Sequence, residues 1–116
     1  MSRHSDRIRV SHMLDHAREA AELVRGKTQR DLIEDRVLTL AVVRLLEVTG
    51  EAAARMREDT QQLHRDIPWP EIVGLRNRLI HGYDAVDMDI LWQVLDRDLP
   101  RLIPQLEQML DDERLV

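Results

Sequence analysis

Arg76, Asn77, Arg78, His81 and the chain's only tyrosine, Tyr83, crowd into one short stretch, GLRNRLIHGYD, running from Gly74 to Asp84. These residue types can work on a phosphodiester. A guanidinium grips a phosphate in a two-pronged contact and opposes the charge that builds in its transition state. A neutral imidazole takes the proton from a ribose 2′-hydroxyl, and an imidazolium protonates the oxygen that leaves. Asn77 can orient His81 or touch a phosphate oxygen. Such a set suits RNA cleavage without a metal, leaving a 2′,3′-cyclic phosphate and a 5′-hydroxyl. The competing explanation is structural, because positive side chains near a helix C-terminus favour the macrodipole. An Arg, four residues and a His form a weak pattern alone.

Spacing sharpens the question. At about 100° per residue on an ideal helix, Asn77 and His81 share a face and Arg76 nearly eclipses Tyr83. Arg76 and His81 diverge by about 140° on the same wheel. A straight helix would not aim both at one phosphate. Either the helix end at Gly82 turns His81 back, or a second copy of the motif completes the site.

The elements that must position these groups read as helices. From Asp6 to Arg25, apolar Ile8, Met13, Leu14, Ala17, Ala20, Ala21 and Val24 recur at three- and four-residue steps, the amphipathic period. Ser5 or Asp6 suits its cap, and Gly26 its end. A second helix is expected from Thr28–Asp31 through Met56, with Val37 to Leu46 apolar almost all round and hence most buried. Gly50 inside it marks a kink or a close helix crossing. Asp59 to Pro70 reads as a connection. A third helix runs from Pro70 to Tyr83, burying Ile72, Leu75 and Leu79, with Gly82 as its C-terminal cap. The last starts near Asp87 or Met88, and Pro100 and Pro104 should kink or divide it. The fold class expected is all-α, an up-and-down bundle of four to five helices forming a single domain, residues 1–116.

Composition removes several alternatives. The chain has no cysteine, which excludes disulfides, thiolate nucleophiles and zinc–cysteine sites. The net charge of −5 argues against a surface that coats nucleic acid non-specifically. No apolar run approaches a membrane span and MSRHSDRIRV lacks a signal-peptide core, so the expected location is cytoplasmic. His12 and His16 share a helix face beside Asp15, yet no third metal ligand is evident. Glu47 and Glu51 resemble half of a di-iron carboxylate design, but the Glu-x-x-His motifs it needs are absent. One of them is expected to pair with an arginine or support the cleft. Trp69 and Trp92 read as core or interface anchors. Neither a metal nor a cofactor is expected.

GLRNRLIHGYDAVD also resembles the signature of HEPN domains, specifically the HepT-like toxins. That signature is Arg followed by Asn, four residues from Arg to His, one residue, then Tyr. Arg76, Asn77, His81 and Tyr83 fill it without departure. LLEVTGEAA, IPWPEIVGLRN and DMDILWQVLDRDLP extend the resemblance over most of the chain. The resemblance implies an all-helical HEPN-like homodimer whose two motifs line one cleft. It implies a metal-independent endoribonuclease, the toxin of a toxin–antitoxin system, with Arg76 and His81 catalytic and Asn77 supporting. It further implies a cognate nucleotidyltransferase antitoxin of the MntA type, which transfers AMP from ATP to Tyr83. Phosphates added there would repel an RNA backbone. The alternative is a non-catalytic helical module that binds a nucleotide or partner and presents Tyr83 to the nucleotidyltransferase.

Overall fold

Ser2 opens the first helix by accepting the Ser5 amide on its hydroxyl, satisfying a donor that has no partner within the helix. The computed structural model describes residues 2–115. Its elements are α1 (Arg3–Leu23), α2 (Gln29–Glu34), α3 (Arg36–Ala54), α4 (Glu58–Gln62), α5 (Trp69–Val73) and α6 (Leu75–Leu79). A two-stranded hairpin, β1 (Ile80–His81) and β2 (Ala85–Val86), follows. Then come α7 (Met88–Gln93), a π-helical turn at Val94–Asp98, α8 (Leu99–Leu110) and a final 3-10 turn at Glu113–Leu115. The chain is an all-α, HEPN-like bundle. Helix α1 packs on α3 and α8, and α3 packs on α5 and α6. Fully buried Val10, Met13, Val42, Leu46, Leu79 and Leu106 lie at the centre.

Several sequence expectations need correction. Asp6 does not cap α1. It lies within that helix with no exposed surface, accepting the Thr60 hydroxyl at 2.6 Å and the Arg57 amide at 3.3 Å. A carboxylate on α1 therefore caps α4, whose own N-cap residue, Arg57, makes no side-chain capping bond. The long second helix is two helices. Thr28 and Asp31 form a reciprocal capping box on α2, and these bonds hold the Asp31 carboxyl below the usual carboxylate range. Asp35 then breaks the run by capping α3 through the Leu38 amide, and the buried Thr39 hydroxyl donates to the Leu32 carbonyl left at the end of α2. Two polar side chains thus satisfy a helix break that apolar periodicity does not register. Val37 is 78% and Leu40 47% exposed, so the Val37–Leu46 stretch is not buried all round.

Gly50 resolves as a close crossing. A Cβ there would stand 2.7 Å from the Ile72 carbonyl oxygen, so only a glycine lets α3 approach α5 at this distance. The expected connection after Asp59 contains most of α4, and Trp69 is buried with its indole donating to the Gln61 and His64 carbonyls at 3.0 Å. Trp92 is half-buried. The prolines act unequally. Just ahead of Pro100, the Leu99 amide reaches back to Val94, the wider π bond. That turn relieves the crowding a proline ring imposes on the preceding turn. Pro104 is accommodated inside α8.

Candidate active site

The third helix ends at Leu79, not at Tyr83, and this reshapes the site. The Ile80 amide donates to the Arg76 carbonyl, after which the chain becomes extended, with φ −112° and ψ 124° at Ile80. The Leu79 carbonyl, which would accept from Tyr83 in a longer helix, accepts instead from Asp87 at 2.8 Å. Strand pairing sets Ile80 opposite Val86 and His81 opposite Ala85. Gly82 sits in the turn between them with φ 70°, a conformation that side chains with a Cβ rarely adopt. It is a hairpin glycine, not a helix cap.

His81 therefore stands on a strand and Arg76 on a helix, and the wheel that separated them by about 140° does not apply. Asn77 and His81 do not share a helix face. Among the described residues, no hydrogen bond or ion pair links Arg76, Asn77, His81 and Tyr83 to one another. Arg76 and His81 each lie against their own carboxylate. Arg76 Nε lies 3.8 Å from Glu47 Oε2 of α3, and His81 Nε2 lies 3.2 Å from Asp87 Oδ2. Glu47 fulfils the expected arginine pairing, and Glu51 does likewise, 3.6 Å from Arg44. Arg78 is drawn away to Asp98 of the π turn at 3.8 Å.

The motif side chains face solvent. The side chains of Arg76 and His81 are 59% and 65% exposed, and Tyr83 on the hairpin loop is 90% exposed. Asn77 is exposed and makes no side-chain hydrogen bond among the described residues. Glu47 lies 3.8 Å from Arg76 Nε without a hydrogen bond to it, and the 59% exposed guanidinium has room for an anion on its outer fork. Beside the hairpin, Ile33, Arg36 and Leu40 line a shallow depression with Asp84, Ala85 and Val86. Exposed apolar side chains thus border the motif. On α1, His16 Nδ1 lies 2.6 Å from its own helix's His12 carbonyl. Among the described residues, no group of three His, Asp or Glu side chains could hold a metal ion.

Asp87 is the site residue that sequence reasoning missed. The signal was present in LIHGYDAVD, where Gly82 and Asp84 separate two short apolar-polar runs, a hairpin pattern. Read as a helix end, it hid the cross-strand neighbour of His81.

A family model described as ribonuclease HepT-like matches residues 13–109. The chain belongs to the ribonuclease HepT-like family. Within the span of that match lie Arg76, Asn77, His81 and Tyr83, together with Glu47 and Asp87. Among similar proteins, "Putative RNase TTE0752" of Caldanaerobacter subterraneus subsp. tengcongensis is 35% identical over 105 residues, covering 90% of this chain and 94% of its own. "Probable ribonuclease HepT" of Thermococcus cleftensis is 36% identical over 100 residues, covering 83% and 91%. "Putative RNase MJ1380" of Methanocaldococcus jannaschii is 31% identical over 107 residues, covering 92% and 98%. No solved structure gives a significant match. No helix among the described residues of this HepT-like chain is long and apolar enough to cross a membrane.

Proposed function

We propose that this HepT-like protein is a metal-independent endoribonuclease, the toxin of a toxin–antitoxin pair, acting in the cytoplasm as a homodimer. The observation that carries the reading is the solvent-facing Arg76 and His81 at the α6–hairpin junction, in a chain of a ribonuclease family. Arg76 holds the scissile phosphate with its free fork. His81 takes the 2′-hydroxyl proton as the 2′ oxygen bonds to phosphorus. The bond to the 5′ oxygen breaks, and that oxygen takes a proton from the imidazolium of the second copy. Asn77 is free to contact a phosphate oxygen. Pairing of two copies is supported by the separation of Arg76 and His81 onto different carboxylates within one chain, and by the exposed apolar Ile33 and Leu40 beside the hairpin.

Tyr83 is the proposed acceptor of AMP from a cognate MntA-type nucleotidyltransferase. Its exposed phenol oxygen would attack the α-phosphorus of ATP, expelling pyrophosphate and losing its proton to solvent. Each AMP sets a new phosphodiester charge beside His81 and repels the RNA backbone.

The test is RNA cleavage in a chelator by protein whose mass shows Tyr83 unmodified, with Arg76→Ala, His81→Ala and Tyr83→Phe alongside. Cyclic-phosphate ends, a loss of about 10²-fold or more in the first two variants, and retained cleavage in Tyr83→Phe are expected. Dimeric, unmodified protein that leaves several RNAs intact would instead mark a binding module that presents Tyr83 to its partner.

A further inference from the structure

Asp87 is held at both ends. Its Oδ1 accepts the Ile90 amide at 3.0 Å, the bond that caps α7, and its own amide donates to the Leu79 carbonyl at 2.8 Å. With those two bonds made, Oδ2 has little freedom to move. In the hairpin register, His81 faces Ala85. Side chains alternate along a strand, so His81 and Asp87 are diagonal neighbours on one face, a separation that an imidazole and a carboxylate can bridge. Oδ2 lies 3.2 Å from His81 Nε2, and no other side chain pairs with this ring among the described residues. The imidazole is 65% exposed, and without this anchor it would spread over several rotamers.

We propose that Asp87 is the positioning residue for His81 and selects the nitrogen that reacts, an inference that rests on the ribonuclease reading above. The 3.2 Å contact is an ion-pair distance and not yet an aligned hydrogen bond. A small turn of the ring aligns Nε2–H on Oδ2. Because a carboxylate can only accept, the neutral ring so held keeps its proton on Nε2 and carries its lone pair on Nδ1. Nδ1 then takes the 2′-hydroxyl proton, while Nε2–H stays turned to Asp87 throughout. The cap of α7 and the orientation of the base are thus two uses of one side chain, one oxygen for each.

Asp87→Asn separates them. Asparagine caps helices about as well as aspartate, so its carbonyl oxygen stays on the Ile90 amide and its NH₂ group replaces Oδ2. A donor there draws the lone pair of the ring to Nε2 and shifts the neutral proton to Nδ1. The expected result is an unchanged thermal midpoint, KM within about 3-fold of wild type, and kcat lower by about 10²-fold or more, as wrong-tautomer histidines behave. Nitrogen-15 spectra of the His81 ring should show the proton moving from Nε2 to Nδ1. A kcat within about 3-fold of wild type, or an unmoved tautomer, overturns the proposal. The spectra need no RNA, so wild-type protein that fails to cleave would sink the ribonuclease reading while still reporting whether Asp87 sets the ring. Asp87→Ala, which loses cap and carboxylate together, should lower both the midpoint and kcat.

Discussion

Deleting the Asp6 carboxylate should be among the costliest single changes in this fold. Its two oxygens accept the Thr60 hydroxyl at 2.6 Å and the Arg57 amide at 3.3 Å, and Arg9 Nη1 lies 3.3 Å away. Asp6→Ala leaves two donors at a buried helix start without an acceptor. Each unsatisfied donor costs about 1–3 kcal/mol, and breaking a buried charged network by removing one partner costs about 3–5 kcal/mol. The second range lies within the doubled first, so about 3–5 kcal/mol is the expectation. At about 2.1 cal/mol/K per residue, a chain of 116 residues loses about 4 °C per kcal/mol, giving a fall of about 12–20 °C in Tm. Thermal and urea unfolding should be followed by circular dichroism and by tryptophan fluorescence. Trp69 reports on α4 because its indole donates to the Gln61 carbonyl in that helix. Asp6→Asn, which keeps one acceptor, should lose less, and it serves as the measurable variant if Asp6→Ala does not fold. A loss below about 1 kcal/mol in Asp6→Ala would refute the capping argument, since even one orphaned donor should exceed it.

Two further perturbations probe different links. Gly50→Ala gains about 1 kcal/mol of helix propensity but sets a methyl 2.7 Å from the Ile72 carbonyl oxygen, and overpacking costs about 1–3 kcal/mol. Stability should therefore fall by no more than about 2 kcal/mol. RNA cleavage should fall about 10-fold or more, because α3 carries Glu47 and is pushed from the segment carrying Arg76; unchanged cleavage would show that the crossing does not set the site. At the other end of the fold, Asp112 accepts from Arg114 and lies 2.7 Å from His64 Nε2. These contacts, the Arg114 bond foremost, hold its carboxyl well below the usual range. A depressed folded pKa means the stabilisation is complete above the unfolded value of about 3.9 and is lost as pH falls below it. Urea midpoints of wild type and Asp112→Asn should thus differ most near neutral pH and begin to draw together only as pH falls below about 4, closing toward the depressed folded value; a gap independent of pH would refute this assignment.

What was legible in the sequence was local. Periodicity located α1 and α3 because their apolar stripes repeat every turn, and an arginine partner could be expected for Glu47 or Glu51 because no further metal-ligand motif accompanies that carboxylate pair. The breaks were harder to see. Asp35 reads as one more polar residue in a helix until its carboxylate is found on the Leu38 amide. Val37 and Leu40 look like core because hydrophobicity does not say which surface covers it. The hairpin was missed for a related reason. Leu75 and Leu79 are four apart and fit a helix, whereas the bond that stops the helix comes from Asp87, beyond the turn.

That ending gives the motif's spacing a different physical meaning. Four residues between Arg76 and His81 are not a helical interval that brings two side chains to one face. They are what finishes α6 at Leu79, turns Ile80 toward the bundle, where it is half-buried, and leaves His81 on the solvent side of β1. Strand side chains alternate, so one residue more or fewer after Leu79 would exchange the places of the ring and its apolar neighbour. The proposed chemistry then depends on where a helix stops. The stop depends in turn on Asp87, whose amide closes α6, whose Oδ1 opens α7 and whose Oδ2 faces the imidazole.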